Sequence, residues 1–423
     1  MKLSALCPVP LPDLPFTEDV IIERGVRQRL DHVLEALQLS DPHYVFDGNT
    51  APAFGFDLAG KKQVHLGAEP HADAKTVAVV AKALEGASSA VAIGSGTVND
   101  LVKRAATINQ IPYVACGTAA SMNGYASGIA AILDDGVKTT VPARPPCAII
   151  LDTDVLAQAP ARLTQAGLGD LISKPVSDSD WWLANAIENT GYSSLPSKIV
   201  DHAVRAAVSA AGGLPERIPE AHGALGEALI LSGVAMVAAG SSSPASGGEH
   251  LISHLWDMEN VASGKATRLH GAQVGVATCI SAALYDLLRK CERPRFQSPP
   301  TWAEEAARIK SEHGPLAEAV LRHAENKHQR AHKRVAYLRD HWPEIRDQLA
   351  ARDIPSPQTI RNILDSAGAP SSLKALGESK QNTARVFRLA RDIRDRVTVL
   401  DVAFELGILP GRIDEVLALS GVA

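Results

Sequence analysis

At 423 residues, 46% of them hydrophobic, the chain can bury a large interior and exceeds what one compact core usually supports, so two domains are expected. A formal net charge of −5 removes the electrostatic reason to expect a nucleic-acid partner, whose phosphates demand a dense basic face. Five scattered cysteines, Cys7, Cys116, Cys147, Cys279 and Cys291, include no CxxC pair, which argues against a disulfide framework or a cysteine zinc site and for a reducing compartment.

The opening segment, MKLSALCPVPLPDLPF, is broken by prolines before an apolar run can develop, which argues against a cleaved secretory signal and predicts a soluble, cytoplasmic protein. From residue 43 to 151, short β-rich runs alternate with helical patterns: YVF at 44–46, QVHL at 63–66, AVAI at 90–93, YVAC at 113–116 and AIIL at 148–151. With DAKTVAVVAKALEG and TVNDLVKRAATIN between them, they predict βαβ units, a parallel sheet covered on both faces, and an α/β nucleotide-binding domain over residues 1–160. The stretch SGIAAILDDGVKTTVPA at 127–143 has two β-compatible runs around Asp135-Gly136, a hairpin signal.

Beyond Pro160 the strand signals stop and helical periodicity dominates, so residues 161–423 are expected to form an all-α domain. Pro294, Pro299-Pro300, Pro343 and Pro355-Ser356-Pro357 are expected to punctuate its helices. The apolar run ALGEALILSGVAMVAAG at 224–240 contains Glu227 and three glycines and reads as a buried core helix, not a membrane span. The basic stretch RHAENKHQRAHKR at 322–334 reads as a solvated helix face, and residues 290–345 carry no recognisable functional motif.

The run SAVAIGSGTVNDLV has the order a phosphate site requires: buried strand, glycine turn, helix. Gly94 and Gly96 lack the Cβ that would hold a diphosphate away, and the first N–H groups of the following helix point toward an anion. Gly94, Ser95, Gly96, Thr97, Asn99 and Asp100 are therefore candidate dinucleotide contacts, although Asp100 reads equally well as an early-turn acid favoured by the helix dipole. Upstream, Asp47 ends a strand where an acid can accept from ribose hydroxyls and favour NAD over NADP; an Asp-Gly-Asn turn is the plain alternative. Downstream, CGTAASMNGYASG offers small residues for the approach of a nicotinamide ring, with Thr118 and Ser121 as hydrogen-bonding groups.

Three further segments suit a metal: Asp170 in GLGDLISK, His250 in SGGEHLISHLW and His270 in RLHGAQVG. Two imidazoles and a carboxylate serve zinc or another borderline divalent ion and leave positions open for substrate. By spacing alone His250 and His254, four apart on one helical face, form the first pair.

Taken in order, GSGTVNDLVK, TAASMNGYAS, AGLGDLISK, PASGGEHLISH and HGAQVG resemble the sn-glycerol-1-phosphate dehydrogenase family, in the group that also holds glycerol dehydrogenase and 3-dehydroquinate synthase. The resemblance continues in IRDRVTVLDVAFELGIL at 393–409 and covers most of the chain. It implies a Rossmann-like N-terminal domain, a helical C-terminal domain and an active site in the cleft between them. The implied cofactors are NAD or NADP and one divalent ion, Zn first, with Ni or Fe as alternatives. The family pattern carries over onto Asp170, His250 and His270 as ligands and leaves His254 as a proton relay or substrate contact. A homodimer or larger homo-oligomer is implied as well.

One position departs from the pattern: the family's SMDGY is here Ser121-Met122-Asn123-Gly124-Tyr125. Asn123 can hydrogen-bond a hydroxyl but cannot act as a base. The expected reaction is reversible hydride transfer between NAD(P)H and dihydroxyacetone phosphate or a related small ketone. Lys174 is the first candidate for the phosphate, with Lys265 and Arg268 as alternatives. Two rival readings stand beside it, a cyclase like 3-dehydroquinate synthase that uses NAD transiently and a non-catalytic dinucleotide-binding paralogue.

Overall fold

The computed structural model describes residues 1–134 and 137–423, so the Asp135-Gly136 turn lies outside the described residues. The strands are β1 (Asp19–Glu23), β2 (His43–Phe46), β3 (Lys62–His65), β4 (Ala90–Gly94), β5 (Tyr113–Gly117), β6 (Ile129–Asp134), β7 (Val137–Pro142) and β8 (Ala148–Asp152). Six of them form one sheet in the order β1-β8-β5-β4-β2-β3, parallel throughout. β6 and β7 pair antiparallel as a separate ribbon, as expected for 127–143.

The central strands β4, β5 and β8 are buried at every position, which is why they read as unbroken apolar runs rather than as alternation. β3 closes one edge with Lys62, Gln63 and His65 exposed, polar residues that discourage further strand pairing. β1 was not among the expected strands: DVIIE is short, carries an acid at each end and follows a proline-broken segment. It is nonetheless in register with β8 from Asp19↔Ala148 to Glu23↔Asp152. On one sheet face Tyr44, Phe46, Val91, Ile93, Val114, Cys116 and Ile150 pack with Val26, Leu30, Leu34 and Phe54 as a continuous core.

The helices that carry or support the site are α1 (Gly96–Asn109), α2 (Ala161–Ile172), α3 (Lys174–Glu188), α4 (Pro219–Ala239), α5 (Gly248–Ala262), α6 (His270–Arg289) and α7 (Ala317–Ala350). The chain divides into two compact units, Met1–Leu171 with Leu195–Ser241, and Ile172–Ser194 with Ser242–Ala423. These are not the units of a single cut at residue 160. α4 packs on β1, β8 and the 3-10 turn Asn123–Ala126, so its segment joins the sheet-bearing unit although it lies beyond the expected boundary.

α4 and α6 are long and apolar enough to cross a membrane by length and composition, yet 78% and 89% of their apolar windows are buried inside the fold. In the second unit α6 is the central helix, packed by α5 and by the helices Pro357–Ser366, Val399–Glu405 and Ile413–Ser420. Pro343 does not end a helix as expected. It sits on the exposed side of α7, while Trp342 and Ile345 are buried, and their packing carries the helix through the missing main-chain donor. The basic stretch within α7 is only partly a solvated face. Lys327 and Arg334 are buried against Asp401 at 2.7 Å and Glu188 at 2.7 Å, long-range partners that local composition could not reveal.

Candidate active site

In the sheet-bearing unit the strand order reverses between β2 and β4, and the segments that follow their C-terminal ends, at Asp47 and Gly94, therefore flank the position where such sheets bind ligands. α1 begins directly after β4. Its N-cap residue Ser95 makes no side-chain capping bond and its first turn holds no acid, so the positive end of a fourteen-residue helix carries no neutralising side chain. Ser95, Gly96 and Thr97 are half-buried around it.

Gly94 has a packing reason of its own. A Cβ there would come 2.5 Å from Cβ of Val98, so the glycine makes room for the first turn of its own helix. A Cβ at Gly96 would meet only the flexible Met122 side chain, at 3.5 Å or more.

Asn99 and Asp100, both expected near the cofactor, are engaged within the unit. Asn99 is buried, with Oδ1 accepting from the Tyr113 hydroxyl at 3.4 Å, and Asp100 Oδ2 accepts from the Ala131 amide at 3.1 Å. Both side chains lie at or beyond the fourth residue of the helix, past the turn that faces an anion. Asp47 forms the Asx-type turn held open as its plain reading: Oδ1 accepts from the amides of Asn49 and Thr50, each at 2.8 Å.

The loop after β5 is tied to the loop after β4 by the Thr118 amide, which donates to the Gly94 carbonyl at 3.1 Å. Ser121 is half-buried in this loop, and the Tyr125 hydroxyl donates to the Ala119 carbonyl at 2.9 Å. Asn123 donates from Nδ2 to Ser232 Oγ at 3.3 Å. One residue that sequence reasoning missed organises this loop: Lys103, fully buried on α1, donates to the Gly124 carbonyl, to Ser127 Oγ at 3.1 Å and to the Ile129 carbonyl at 3.1 Å. Burial pushes its ammonium down to about 8, against the opposing charge of Asp100. A lone lysine within a helical pattern carries no signal that would have found it.

Asp170 sits in the last turn of α2, His250 is the third residue of α5 and His270 is the first of α6. One ligand atom from each lies within 4.8 Å of the others, with Asp170 and His250 buried and His270 half-buried. The pair expected from spacing alone is different: His254 stacks on His270, ring centroids 5.3 Å apart and 17° between planes, and lies 5.9 Å from His250. It stands beside the group as a third imidazole.

Both histidines of the group are oriented from behind. Glu249 Oε1 accepts from His250 Nδ1 at 2.7 Å, and because a carboxylate can only accept, Nε2 is left with the lone pair. Ser253 Oγ donates to Gln273 Oε1 at 2.9 Å and meets His270 Nδ1 at 3.3 Å, so it accepts there and leaves Nε2 of His270 to ligate. A carboxylate and two imidazoles with the outer nitrogens so held are a donor set that fits a borderline divalent ion.

Glu249 is fully buried and also accepts from Ser177 Oγ at 2.8 Å and the Gly247 amide at 2.9 Å. Burial opposes its ionisation, but the bond and charge from His250 outweigh it and hold the carboxyl below the usual range. Beside it, Asp180 accepts from the Gly248 amide at 2.6 Å, the Val399 amide at 2.6 Å and the Tyr285 hydroxyl at 2.7 Å. Burial first, and then the charge of Glu249, push Asp180 up to about 7. Glu249 stands openly in the GEH triplet, whereas nothing in the sequence marks Asp180.

The cations expected at a phosphate are placed otherwise. Lys174 is fully buried, its ammonium donating to the Ala245 carbonyl at 2.9 Å and Ser173 Oγ at 3.3 Å, which makes it a tether of the loop before α5. Arg268 pairs with Glu378 at 2.6 Å and donates to the carbonyls of Leu376 and Gly377. Lys265 is exposed.

Known proteins are similar to this chain in sequence and in fold. The sequence model of the iron-containing alcohol dehydrogenase family matches residues 21–160. Over 401 residues the chain is 29% identical to the glycerol-1-phosphate dehydrogenase (NAD(P)+) of Bacillus velezensis, covering 92% of this chain and 91% of that one. It is 33% identical over 302 residues to the enzyme of the same name from Methanococcoides burtonii, covering 69% of this chain and 84% of that one. The crystal structure of a probable glycerol dehydrogenase from Sinorhizobium meliloti shares the two-domain fold, with a TM-score of 0.62 at 18% identity, covering 98% of this chain and all of that one. An identity above three in ten over most of a relative's length is decisive for kinship, and the chain belongs to the glycerol-1-phosphate dehydrogenase family.

Proposed function

We propose that the protein is a metal-dependent oxidoreductase that interconverts dihydroxyacetone phosphate, or a closely related small ketone, and its alcohol, sn-glycerol 1-phosphate, at the expense of NADH or NADPH. The observation that carries this reading is the convergence of Asp170, His250 and His270, with one ligand atom from each within 4.8 Å of the others. These three would hold the ion; Zn2+ is the first choice, and Ni2+ and Fe2+ accept the same donors. When bound, the ion supplies Lewis acidity to the substrate oxygen and the dinucleotide supplies the hydride.

The chain's own residues do the rest. Glu249 and Ser253 fix the tautomers of His250 and His270, so that Nε2 of each would keep its lone pair for the ion. His254, stacked on His270, is suited to pass a proton from the substrate alcohol outward through its ring nitrogens. The uncapped start of α1 would receive the diphosphate, with Gly96 giving the backbone room. Asp47 would meet a ribose hydroxyl, and Thr118 and Ser121 would line the nicotinamide end. Asn123 would orient a substrate hydroxyl without taking its proton.

The test is turnover of dihydroxyacetone phosphate with NADH and NADPH by the full chain, loaded in turn with Zn2+, Ni2+ and Fe2+. Stoichiometric NADH oxidation is expected, lost in Asp170→Ala together with the bound metal. Conversion of a phosphorylated substrate without net NADH consumption would point to a cyclase. Failure to retain metal under replete conditions would point to a binding protein.

A further inference from the structure

We propose that Arg394 and Arg396 form a phosphate subsite for the substrate, an inference that rests on the reading above and names what grips the charged end of the ketone. Arg394 has extended backbone, φ −140° and ψ 153°, at the end of the 3-10 turn Ala390–Ile393. The chain bends at Asp395 and Arg396, the two guanidiniums are near enough to feel each other's charge, and the acid between them in sequence is engaged elsewhere: Asp395 is held by Arg330, 2.7 Å from Nη2 to Oδ1 and 2.9 Å to its carbonyl.

Two buried or half-buried arginines of this unit show the usual solution, a match to acids. Arg334 is paired with Glu188 and Glu405, and Arg308 with Glu305, Glu312 and Asp392. Among the described residues Arg394 and Arg396 make no ion pair. Arg396 donates to two neutral acceptors, the Ser246 carbonyl and Ser242 Oγ, the latter at 3.1 Å. Burial holds both guanidiniums below their usual range, and Arg394 lowers Arg396 further, with the charges of Asp180 and Glu249 opposing only in part. Two desolvated like charges, neither ion-paired among the described residues, are unfavourable until an anion arrives, and a phosphate dianion matches them in charge and in the fork geometry of guanidinium donors.

The location suits the reaction. The carbonyl that Arg396 binds belongs to Ser246, four residues before His250 on the same segment. Lys174, bonded to the neighbouring Ala245 carbonyl, fixes that segment. The same chemistry could serve a phosphate of the dinucleotide, and the experiment separates the two sources.

The metal-loaded full chain and its Arg394→Gln and Arg394→Lys variants are titrated with inorganic phosphate by calorimetry and with NADH by fluorescence. Kinetics are compared on dihydroxyacetone phosphate and unphosphorylated dihydroxyacetone. Loss of a charge-assisted pair predicts that Arg394→Gln weakens phosphate binding on the order of 10-fold or more. Its preference for the phosphorylated ketone falls in parallel, through KM more than kcat, and Arg394→Lys recovers part of the loss. NADH affinity is retained. Unchanged phosphate binding in Arg394→Gln overturns the proposal, as does a loss confined to NADH. If Arg394→Gln does not fold, the Lys variant decides by the same phosphate titration. Phosphate binding that depends on Arg394 in a protein that turns over no ketone phosphate would leave the subsite standing and remove the reaction instead.

Discussion

A carboxylate that accepts from the far nitrogen of an imidazole decides which nitrogen keeps its lone pair, and Glu249 does this for His250 at 2.7 Å. Replacing it with Gln keeps the shape but removes the charge that favours His250 as a ligand. Glu249→Gln is therefore expected to weaken metal retention by roughly 10-fold to 100-fold, read by competition with a chelating dye. Equal retention in both proteins would mean that the orientation of His250 does not depend on that charge. Lys103 makes a second residue-scale prediction. Its folded value of about 8 lies below the 10.5 of the free side chain, so between those values the unfolded chain binds more protons. The cost of burying it is thus present in full below about 8 and is relieved as pH rises toward 10.5. The stability of the wild type relative to Lys103→Met should rise between about pH 7 and about pH 10, by up to roughly 3 kcal/mol. Taking the difference cancels the tyrosines and cysteines that titrate in the same range, and a flat difference in paired denaturant titrations would refute the assignment.

At the scale of elements, the loop after β5 is held by helices from elsewhere in its unit. Gly167 on α2 lies so close to the Ala120 carbonyl that a Cβ there would fall well inside van der Waals contact with backbone, which cannot yield as a flexible side chain can. Gly167→Ala should cost about 1–3 kcal/mol by overpacking and shift the Thr118–Ser121 segment, which bears the expected nicotinamide contacts. Thermal unfolding together with NADH affinity checks this, and an unaltered affinity would show that the loop does not depend on α2. The glycine turn is a local motif that holds in place. GSGTVND opens α1 directly after a buried strand, as its pattern predicts, and Val98 adds a packing reason for Gly94. Pro343 shows the reverse. A proline is a strong local signal for a helix end, but its ring lies on the outer side of α7 while Trp342 is buried, and the packing of the inner face prevails.

For the whole molecule, a bound ion that prefers the folded chain stabilises it by mass action. Stripping the metal with a chelator is expected to lower the melting temperature by about 3 °C, with recovery on adding Zn2+ and no response in Asp170→Asn. A melting curve indifferent to chelator would argue that the ion contributes nothing to folding. The sequence by itself determined the alternation of strands and helices and the place of the glycine turn, because periodicity and turn chemistry are local, and motif order pointed to Asp170, His250 and His270 as ligands. Tertiary structure alone decided which charges are spent and which remain. Ser177 reaches Glu249 across 72 residues, Asp180 reaches Val399 across 219, and Lys174 donates to a loop carbonyl, while among the described residues Arg394 and Arg396 make no ion pair. The pairing of a buried charge depends on what the fold brings next to it, and separation along the chain carries no trace of that.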